Sequence, residues 1–187
     1  TASAVLTKDI CFNACGEGES LLDAEGSLNT GSFDQWIPIG KSDKKFNGKF
    51  DGQNHTISGL YFYNEDVDNV GLFGSINYNA KIQNLGVVDS YFKGKTYVGA
   101  IVARSYNSGK MVSTISNVYN TGTVIGTSNY VGGIVGCGVG NISNAYNMGT
   151  VIGLSQYVGG VAGYNADTIS NAYNTGSVSG TSQYVGG

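Results

Sequence analysis

The segment most suggestive of catalysis brings a carboxylate close to the only histidine of the chain, in Asp51-Gly-Gln-Asn-His55. A carboxylate beside an imidazole can act as an acid–base pair near neutral pH. Asp-Gly is also a strong turn signal, and a histidine held by hydrogen bonds at a turn is a structural feature. We interpret Asp51 and His55 as structural residues and keep the acid–base pair as the alternative.

A compact acidic cluster follows at Glu65, Asp66 and Asp68. Hard cations such as Ca²⁺ bind several oxygen atoms supplied by one loop. The spacing matches neither an EF-hand nor the glycine-rich nonapeptide calcium repeat. A solvated acidic corner is therefore the first interpretation, a calcium site is the alternative, and no other cofactor is expected.

The three cysteines comprise a C-x3-C pair, Cys11 and Cys15, and the isolated Cys137. A zinc site takes four ligands, which one histidine and three scattered cysteines do not readily supply. We expect a Cys11–Cys15 disulfide across a tight loop, with two reduced thiols as the alternative.

Composition and charge restrict the function classes. The 187 residues include 30 glycines, only 12% charged residues and a net charge of −3. This balance argues against nucleic acid as a partner, and the low charge with many aromatics argues against disorder. Since no apolar stretch approaches the length of a membrane span, we expect no membrane insertion. All but one of the charged side chains precede Met111, so catalytic groups are not expected in the C-terminal part.

An internal repeat determines the fold. Segments of the form ISNAYNTGTVIG…YVGG begin at Ile115, Ile142 and Ile169, which sets a period of 27 residues, and weaker copies begin at Ile82 and Ile57. Each copy holds three short runs rich in Val, Ile, Tyr and Thr, separated by Gly and Asn. This pattern predicts an all-β fold, a single-stranded parallel β-helix (β-solenoid) with three short strands per coil. We expect right-handed coiling.

Recurring apolar residues define the predicted interior, because equivalent positions of successive coils lie above one another. Five stacks are predicted: Ile82, Ile115, Ile142 and Ile169; Leu85, Val118, Ala145 and Ala172; Val124, Val151 and Val178; Val98, Val131, Val158 and Val185; Ile101, Ile134 and Val161.

Asparagine recurs two residues after each of these isoleucines, at Asn84, Asn117, Asn144 and Asn171. The isoleucine and the next apolar residue are three apart, which breaks strand alternation unless the chain bends near the asparagine. Stacked amides can also hydrogen-bond from coil to coil, so we assign these residues a structural role. The glycine pairs such as Gly132–Gly133 predict another corner, where a Cβ would clash or φ must be positive.

Tyrosines recur at outward positions. Self-stacking that stabilises cross-strand pairs is one interpretation, and a surface that docks a glycan or a protein is the other. The two predicted stripes are Tyr97, Tyr130, Tyr157 and Tyr184, and Tyr119, Tyr146 and Tyr173.

The segment 46–61, FNGKFDGQNHTISGLY, resembles the opening motif of bacterial GLUG-type repeat proteins. The runs VGLFG (70–74), YVGAIVA (97–103), YVGGIVG (130–136) and YVGGVAG (157–163) resemble the GLUG motif itself. The resemblance extends over residues 46–187. It implies a β-helical stalk or display region of the kind found in adhesin-like surface proteins and in the N-terminal repeat regions of IgA-specific metalloendopeptidases.

The first 45 residues lack the repeat, and Asn13–Ser32 reads as a long loop. Because an open solenoid end exposes unpaired strands, we predict an irregular first coil and cap over 1–45, with Trp36 and Phe46 covering the end of the core. A binding loop is the alternative. The repeat domain is predicted over 46–187, with a truncated C-terminal coil whose open edge contacts neighbouring copies.

These features together favour a non-catalytic structural or adhesive module of a secreted or surface-exposed bacterial protein. Host or environmental glycans or proteins are the expected partners. The chain lacks the H-E-x-x-H motif that a zinc endopeptidase needs. The alternatives are a β-helical carbohydrate-active enzyme and an accessory region of a larger secreted protease.

Overall fold

The computed structural model describes residues 3–107, 109, 111–181 and 183–187. Every regular element in these ranges is a β-strand, and all strand pairs are parallel. In chain order the strands are β1 (Ser3–Val5), β2 (Ile10–Cys11), β3 (Lys49–Ser58), β4 (Tyr61–Tyr63), β5 (Phe73–Ile76), β6 (Lys81–Val88), β7 (Tyr91–Gly94), β8 (Val98–Gly99), β9 (Val102–Ser105), β10 (Ser113–Asn120), β11 (Thr123–Gly126), β12 (Val131–Gly132), β13 (Val135–Gly138), β14 (Gly140–Asn147), β15 (Val151–Gly153), β16 (Val158–Gly159), β17 (Ala162–Asn165), β18 (Ile169–Ser170), β19 (Tyr173–Asn174), β20 (Val178–Gly180) and β21 (Val185–Gly186).

The strands form four parallel sheets that run the length of a β-solenoid, which confirms the predicted fold class. The first sheet follows β1-β3-β6-β10-β14-β18 with β2 and β19 beside it, and the second follows β4-β7-β11-β15-β20. The third sheet is β8-β12-β16-β21 and the fourth is β5-β9-β13-β17. The expectation of three strands per coil was wrong, because the run YVGGIVG turns at Gly133 and divides into β12 and β13.

The apolar stacks pair in the predicted register and fill the interior except in the last coil, where Ile169 and Val185 are exposed. Ile115 pairs with Ile82 on one side and with Ile142 on the other, and Val131 pairs with Val98 and Val158. All of these side chains are at most 2% exposed. Each buried Val or Ile contributes about 1.5–3 kcal/mol of transfer free energy, so the narrow core gains stability with every coil added.

Close packing, and not backbone conformation, explains the glycine pair at the corner between β12 and β13. A Cβ on Gly132 would overlap the carbonyl oxygen of Val135, and one on Gly133 would overlap the carbonyl oxygen of Gly160. Neither glycine has a positive φ. The left-handed conformation falls instead on the preceding tyrosine, Tyr130, with φ of 66°.

The N-terminal segment forms the first coil of the solenoid. β1 and β2 pair with β3, and single bridges join Gln35 to Tyr61 and Ile39 to Phe73. This segment thus pairs with the next coil by short strands and single bridges, and Trp36 and Phe46 pack against the core.

The long loop within this segment does not lie over the end of the solenoid. Leu21 and Leu22 are buried in a small cluster with Tyr91 of the second sheet, against which Ile125 also packs. The loop is thus a strap along the outer face of the second sheet, because its two leucines find apolar surface there.

Candidate functional site

The recurring asparagines form a continuous hydrogen-bonded ladder along the outside of the first sheet, called here the outer asparagine ladder. The Nδ2 atom of each residue donates to the Oδ1 atom of its neighbour one coil earlier, at 3.0 Å for Asn117 to Asn84 and 2.9 Å for Asn144 to Asn117. Asn171 continues the series at 3.3 Å. The four residues have φ between 49° and 55°, which supplies the bend that returns the next apolar residue to the interior.

Asp51 occupies the N-terminal position of this ladder. Its carboxylate accepts hydrogen bonds from the side-chain amides of Asn84 at 2.9 Å and Gln83 at 2.8 Å, and Lys49 lies 3.1 Å away. The bond from Asn84 and the backbone amide of Gln53, with the Lys49 charge, lower the pKa of Asp51 below its ordinary value of 3.8. An unprotonated carboxylate suits this position, because the side-chain amide of Asn84 needs only an acceptor there.

His55 contacts Asp9 and not Asp51. Its Nδ1 atom lies 3.3 Å from Oδ1 of Asp9, and the same oxygen accepts the backbone N–H of Thr56 at 2.7 Å. This backbone hydrogen bond is the main cause of the lowered pKa of Asp9. The two candidate catalytic residues are thus engaged with different partners, and His55 joins the N-terminal coil to β3.

A second asparagine ladder lies inside the solenoid, and the sequence reasoning missed it. Asn120 and Asn147 are fully buried, and Nδ2 of Asn120 donates to Oδ1 of Asn147 at 2.8 Å. Nδ2 of Asn147 in turn donates to Oδ1 of Asn174 at 2.7 Å. The available signal was the recurrence of Asn at the end of each ISNxYN run, every 27 residues.

The first tyrosine stripe is a face-to-face stack, called here the first tyrosine ladder. Ring centroids are 5.3 Å apart for Tyr97 and Tyr130, 4.9 Å for Tyr130 and Tyr157, and 5.0 Å for Tyr157 and Tyr184, with planes within 9° of parallel. All four tyrosines have positive φ. Such strain in non-glycine residues persists only where the surroundings fix it, and here ring stacking and coil pairing do so.

Other side chains already cover the first three rings of this ladder, whereas Tyr184 is exposed. Tyr164 stands edge-on against the rings of Tyr130 and Tyr157, at 6.1 and 6.3 Å. The guanidinium of Arg104 lies 4.3 Å from the Tyr97 ring centroid, a cation–π contact. Burial raises the pKa of Tyr130 above its ordinary value of 10.0.

The second tyrosine stripe forms the second tyrosine ladder, on the first sheet. Centroids are 5.0 Å apart for Tyr119 and Tyr146 and 5.2 Å for Tyr146 and Tyr173, with planes within 4°. One coil earlier the equivalent residue is Gly86, and a Cβ there would overlap the Tyr119 ring. The ring of Tyr119 therefore leans over the backbone of the preceding coil.

The outer asparagine ladder and the second tyrosine ladder enclose one shallow groove of about 350 Å³. Burial also raises the pKa of Tyr146 above its ordinary value of 10.0. The lining residues come from four successive coils and are Asn54, Asn84, Leu85, Asn117, Tyr119, Asn144 and Tyr146.

The structure does not gather the acidic cluster into a metal-binding group. Glu65 forms an ion pair with Lys93 at 2.6 Å, which lowers the pKa of Glu65, and Asp68 accepts the backbone N–H of Thr96 at 3.1 Å. The backbone N–H of Asp66 donates to the side-chain oxygen of Asn64. Among the described residues, no three His, Cys, Asp or Glu side chains converge as metal ligands.

The N-terminal strap is fixed by Asp89. Its carboxylate accepts from the Ser20 hydroxyl at 2.7 Å and from the backbone N–H groups of Leu21 and Leu22 at 2.8 and 2.9 Å. Between the strap and the Thr- and Gly-rich corners of later coils lies an open cleft of about 630 Å³.

Cys11 and Cys15 are joined by a disulfide, and Cys137 is a free, half-buried thiol. Burial raises the pKa of Cys137. Cys137 pairs with Arg104 in β9 and with Tyr164 in β17, and these are the two residues that contact the first tyrosine ladder. Cys137 therefore lies on the same side of the solenoid as that ladder.

The geometry defines a parallel β-solenoid whose outward side chains repeat coil by coil. A similar fold occurs in the crystal structure of a Bacteroides ovatus protein provisionally named an immunoglobulin A1 protease. The two superpose with a TM-score of 0.73 at 24% identity, over 96% of this chain and 52% of the other. This similarity shows the fold alone.

The GLUG motif matches residues 155–179, which include YVGG and the following ISNAYN run. The chain is therefore a β-solenoid that carries the GLUG motif, which confirms the resemblance of its repeats to that motif. Halomucin of Haloquadratum walsbyi is 35% identical over 113 residues, which are 60% of this chain and 1% of halomucin. An Evansella cellulosilytica protein, provisionally named a Gly-rich membrane protein, is 32% identical over 74 residues, 38% of this chain and 9% of that protein. The chain thus matches only a small part of the length of either relative.

None of the described residues forms a helix long and apolar enough to cross a membrane.

Proposed function

We propose that this chain is a non-catalytic structural and adhesive module of a secreted or surface-exposed bacterial protein. The observation that carries the proposal is a single groove lined by two outward ladders, one of amides and one of tyrosines. Ladder asparagines line it over three coils and tyrosines over two of these, and Asn54 extends it to a fourth coil. A rigid surface with one repeating chemistry suits binding to a repeating partner better than it suits a localised reaction.

The placement of the titratable groups supports a role without catalysis. Asp51 is held by two side-chain amides and a lysine, and His55 is paired with Asp9. The acid–base pair considered for this segment requires Asp51 and His55 to act together, and each is engaged with a different partner instead.

Two observations support an extracellular location. The Cys11–Cys15 disulfide is typical of oxidising compartments. The relatives are named for a mucin, for a membrane protein and for a protease of immunoglobulin A1, and these names refer to cell surfaces or to secreted molecules.

The proposal is tested with the purified chain and a panel of insoluble polysaccharides and mucin-type glycoproteins. Co-sedimentation measures binding, and a reducing-end assay on the same samples measures cleavage. We expect retention on at least one member and no release of reducing ends. Cleavage that disappears in Asp51→Asn or His55→Gln would establish the enzyme alternative, and no retention on any member would overturn the adhesive role.

A further inference from the structure

We propose that the groove between the outer asparagine ladder and the second tyrosine ladder binds a linear, uncharged polysaccharide lying parallel to the solenoid axis. This inference rests on the proposed adhesive function and specifies its ligand. A groove of about 350 Å³ along several coils accepts an extended chain more readily than a compact molecule.

The periodicity of the groove wall matches a ligand that is itself a repeat. Each coil presents the same amide in the same place as the coil before it, with Nδ2 to Oδ1 distances of 3.0 Å from Asn117 to Asn84 and 2.9 Å from Asn144 to Asn117. Adjacent strands of a sheet are about 4.8 Å apart, and this spacing sets the repeat of the groups on the groove wall. A polymer can therefore make the same contact at each coil.

The outer asparagine ladder leaves part of its hydrogen-bonding capacity unused. An asparagine amide has two N–H donors and two acceptor lone pairs. Asn117 uses one donor toward Asn84 and one acceptor position toward Asn144, so one of each remains. Asn117 and Asn144 are exposed, and a sugar hydroxyl, which both donates and accepts, complements such a pair.

The opposite wall of the groove offers partly apolar aromatic surface. Parallel rings with centroids 5.0 Å apart are offset-stacked, so part of each face and the hydroxyl edge stay open. Tyr119 and Tyr146 are half-buried, and Leu85 is buried beside them. Carbon–hydrogen faces of pyranose rings can pack on such a surface.

The charge of the groove selects against anionic ligands. The lining is uncharged, and the nearest charged group along the ladder is the Asp51 carboxylate, which is bonded to Asn84. Arg and Lys are the side chains that bind carboxylate and sulfate groups most strongly, and the lining contains neither. The occupant is therefore a neutral glycan.

The first tyrosine ladder provides a matched control within the same coil. Tyr146 and Tyr157 are both half-buried and both lie inside a tyrosine stack. Tyr157 is covered edge-on by Tyr164 and does not line the groove, so it lacks the open ring face and lies away from the outer asparagine ladder.

The experiment is isothermal titration of the whole chain with β-1,4-linked glucose, xylose and N-acetylglucosamine oligomers of two to six units. We expect at least one series to bind, with affinity rising up to about four units because the groove extends over four coils. Tyr146→Ala should weaken binding about tenfold, and Tyr157→Ala less than about twofold.

Equal losses in the two variants would overturn the assignment of the groove. So would binding of heparin or polygalacturonate fragments in preference to neutral oligomers. In both cases an adhesive function would survive, whereas failure to bind any glycan or glycoprotein would overturn the adhesive function itself.

A second measurement does not depend on the stability of the variants. Tetranitromethane modifies accessible tyrosines, and mass spectrometry locates the products. In the wild-type chain, a bound hexamer should protect Tyr119 and Tyr146 and leave Tyr97 unchanged. Protection of Tyr97 without protection of Tyr146 would contradict the proposal.

Discussion

The carboxylate of Asp51 accepts the side-chain N–H of Asn84 at 2.9 Å and so begins a hydrogen-bonded series that continues to Asn171. Every later member donates to its predecessor, which leaves the first amide in need of an acceptor. A carboxylate meets this need without competing as a donor. Asp51 is thus a structural terminus of the ladder.

Replacing Asp51 by Ala should lower the free energy of unfolding by about 1–3 kcal/mol, because the amides of Gln83 and Asn84 lose a charged acceptor. Thermal denaturation followed by circular dichroism measures the change. Lys49→Ala, which removes only the more exposed ion-pair partner, should cost less than about 1 kcal/mol. An equal loss in both variants would mean that the ion pair, and not the ladder, is the stabilising contact.

The same carboxylate gives the stability a pH dependence. Because the pKa of Asp51 is lowered by folding, its contribution is present above the unfolded value near 3.8 and is lost as the pH falls through the lower folded value. Chemical denaturation should show a decline in stability below about pH 4 that is shallower in Asp51→Asn. An unchanged slope in this variant would assign the decline to other carboxylates, such as Asp9.

The buried asparagine ladder should matter more than the outer one. Asn147→Ala leaves Asn120 and Asn174 without their partner in the interior and should cost about 2 kcal/mol or more. Asn144→Gly, chosen because φ at this position is 49°, removes exposed hydrogen bonds without backbone strain and should cost less than about 1 kcal/mol. Urea denaturation compares the two, and a larger loss for Asn144→Gly would contradict this ranking.

The sequence predicts those features of the fold that follow directly from the 27-residue period. Equivalent residues must lie above one another, so the stacks through Ile115 and Val131 and the bend at Asn117 follow from spacing alone. The division of YVGGIVG into two strands did not follow, because the turn at Gly133 depends on contacts with Gly160 and Asn147 of the next coil.

The course of the N-terminal strap was also beyond prediction. Its anchor, Asp89, is 67 residues from Leu22 in the chain and belongs to no recurring motif. The groove escaped prediction for a related reason. The amide and tyrosine stripes were each visible in the sequence, but their adjacency depends on the left-handed bend at each asparagine.

Gly132 and Gly186 occupy equivalent positions in the repeat but differ in how closely the neighbouring coil packs against them, so the same substitution at both tests whether steric contact requires glycine. Gly132→Ala places a Cβ against the Val135 carbonyl oxygen, closer than van der Waals contact, and should destabilise this chain by about 1–3 kcal/mol. Gly186, two repeats later, has nothing within 4 Å of the position that a Cβ would take, so Gly186→Ala should change stability by less than about 0.5 kcal/mol. Similar melting temperatures for the two variants would show that steric contact is not what selects glycine here.

The cysteines should differ in reactivity. Iodoacetamide should label Cys137 slowly in the folded, unreduced chain, because burial raises the pKa of this thiol above its ordinary value of 9.0. Labelling should accelerate as the pH rises through that range. Cys11 and Cys15 should be labelled only after reduction, and mass spectrometry of the alkylated peptides distinguishes the three sites. Labelling of Cys11 without a reductant, in protein isolated from its host, would argue against an oxidising compartment.

The Asp89 carboxylate accepts three hydrogen bonds from the strap, so replacing it tests how much of the attachment to the solenoid rests on this one side chain. Asparagine tolerates the φ of 43° at position 89, so Asp89→Asn should not strain the backbone. It replaces one of the two acceptor oxygens by an N–H donor, which would face a donor of Ser20, Leu21 or Leu22. Chymotrypsin should then cleave near Leu21 several-fold faster, because cleavage follows the local opening of the segment. Asp23→Asn is the matched control. One side-chain oxygen of Asp23 accepts the backbone N–H groups of both Glu25 and Ser27, and asparagine keeps that oxygen, so the cleavage rate should not change. If both variants are cleaved at the wild-type rate while their melting temperatures are unchanged, the strap is held by burial of Leu21 and Leu22 and not by Asp89.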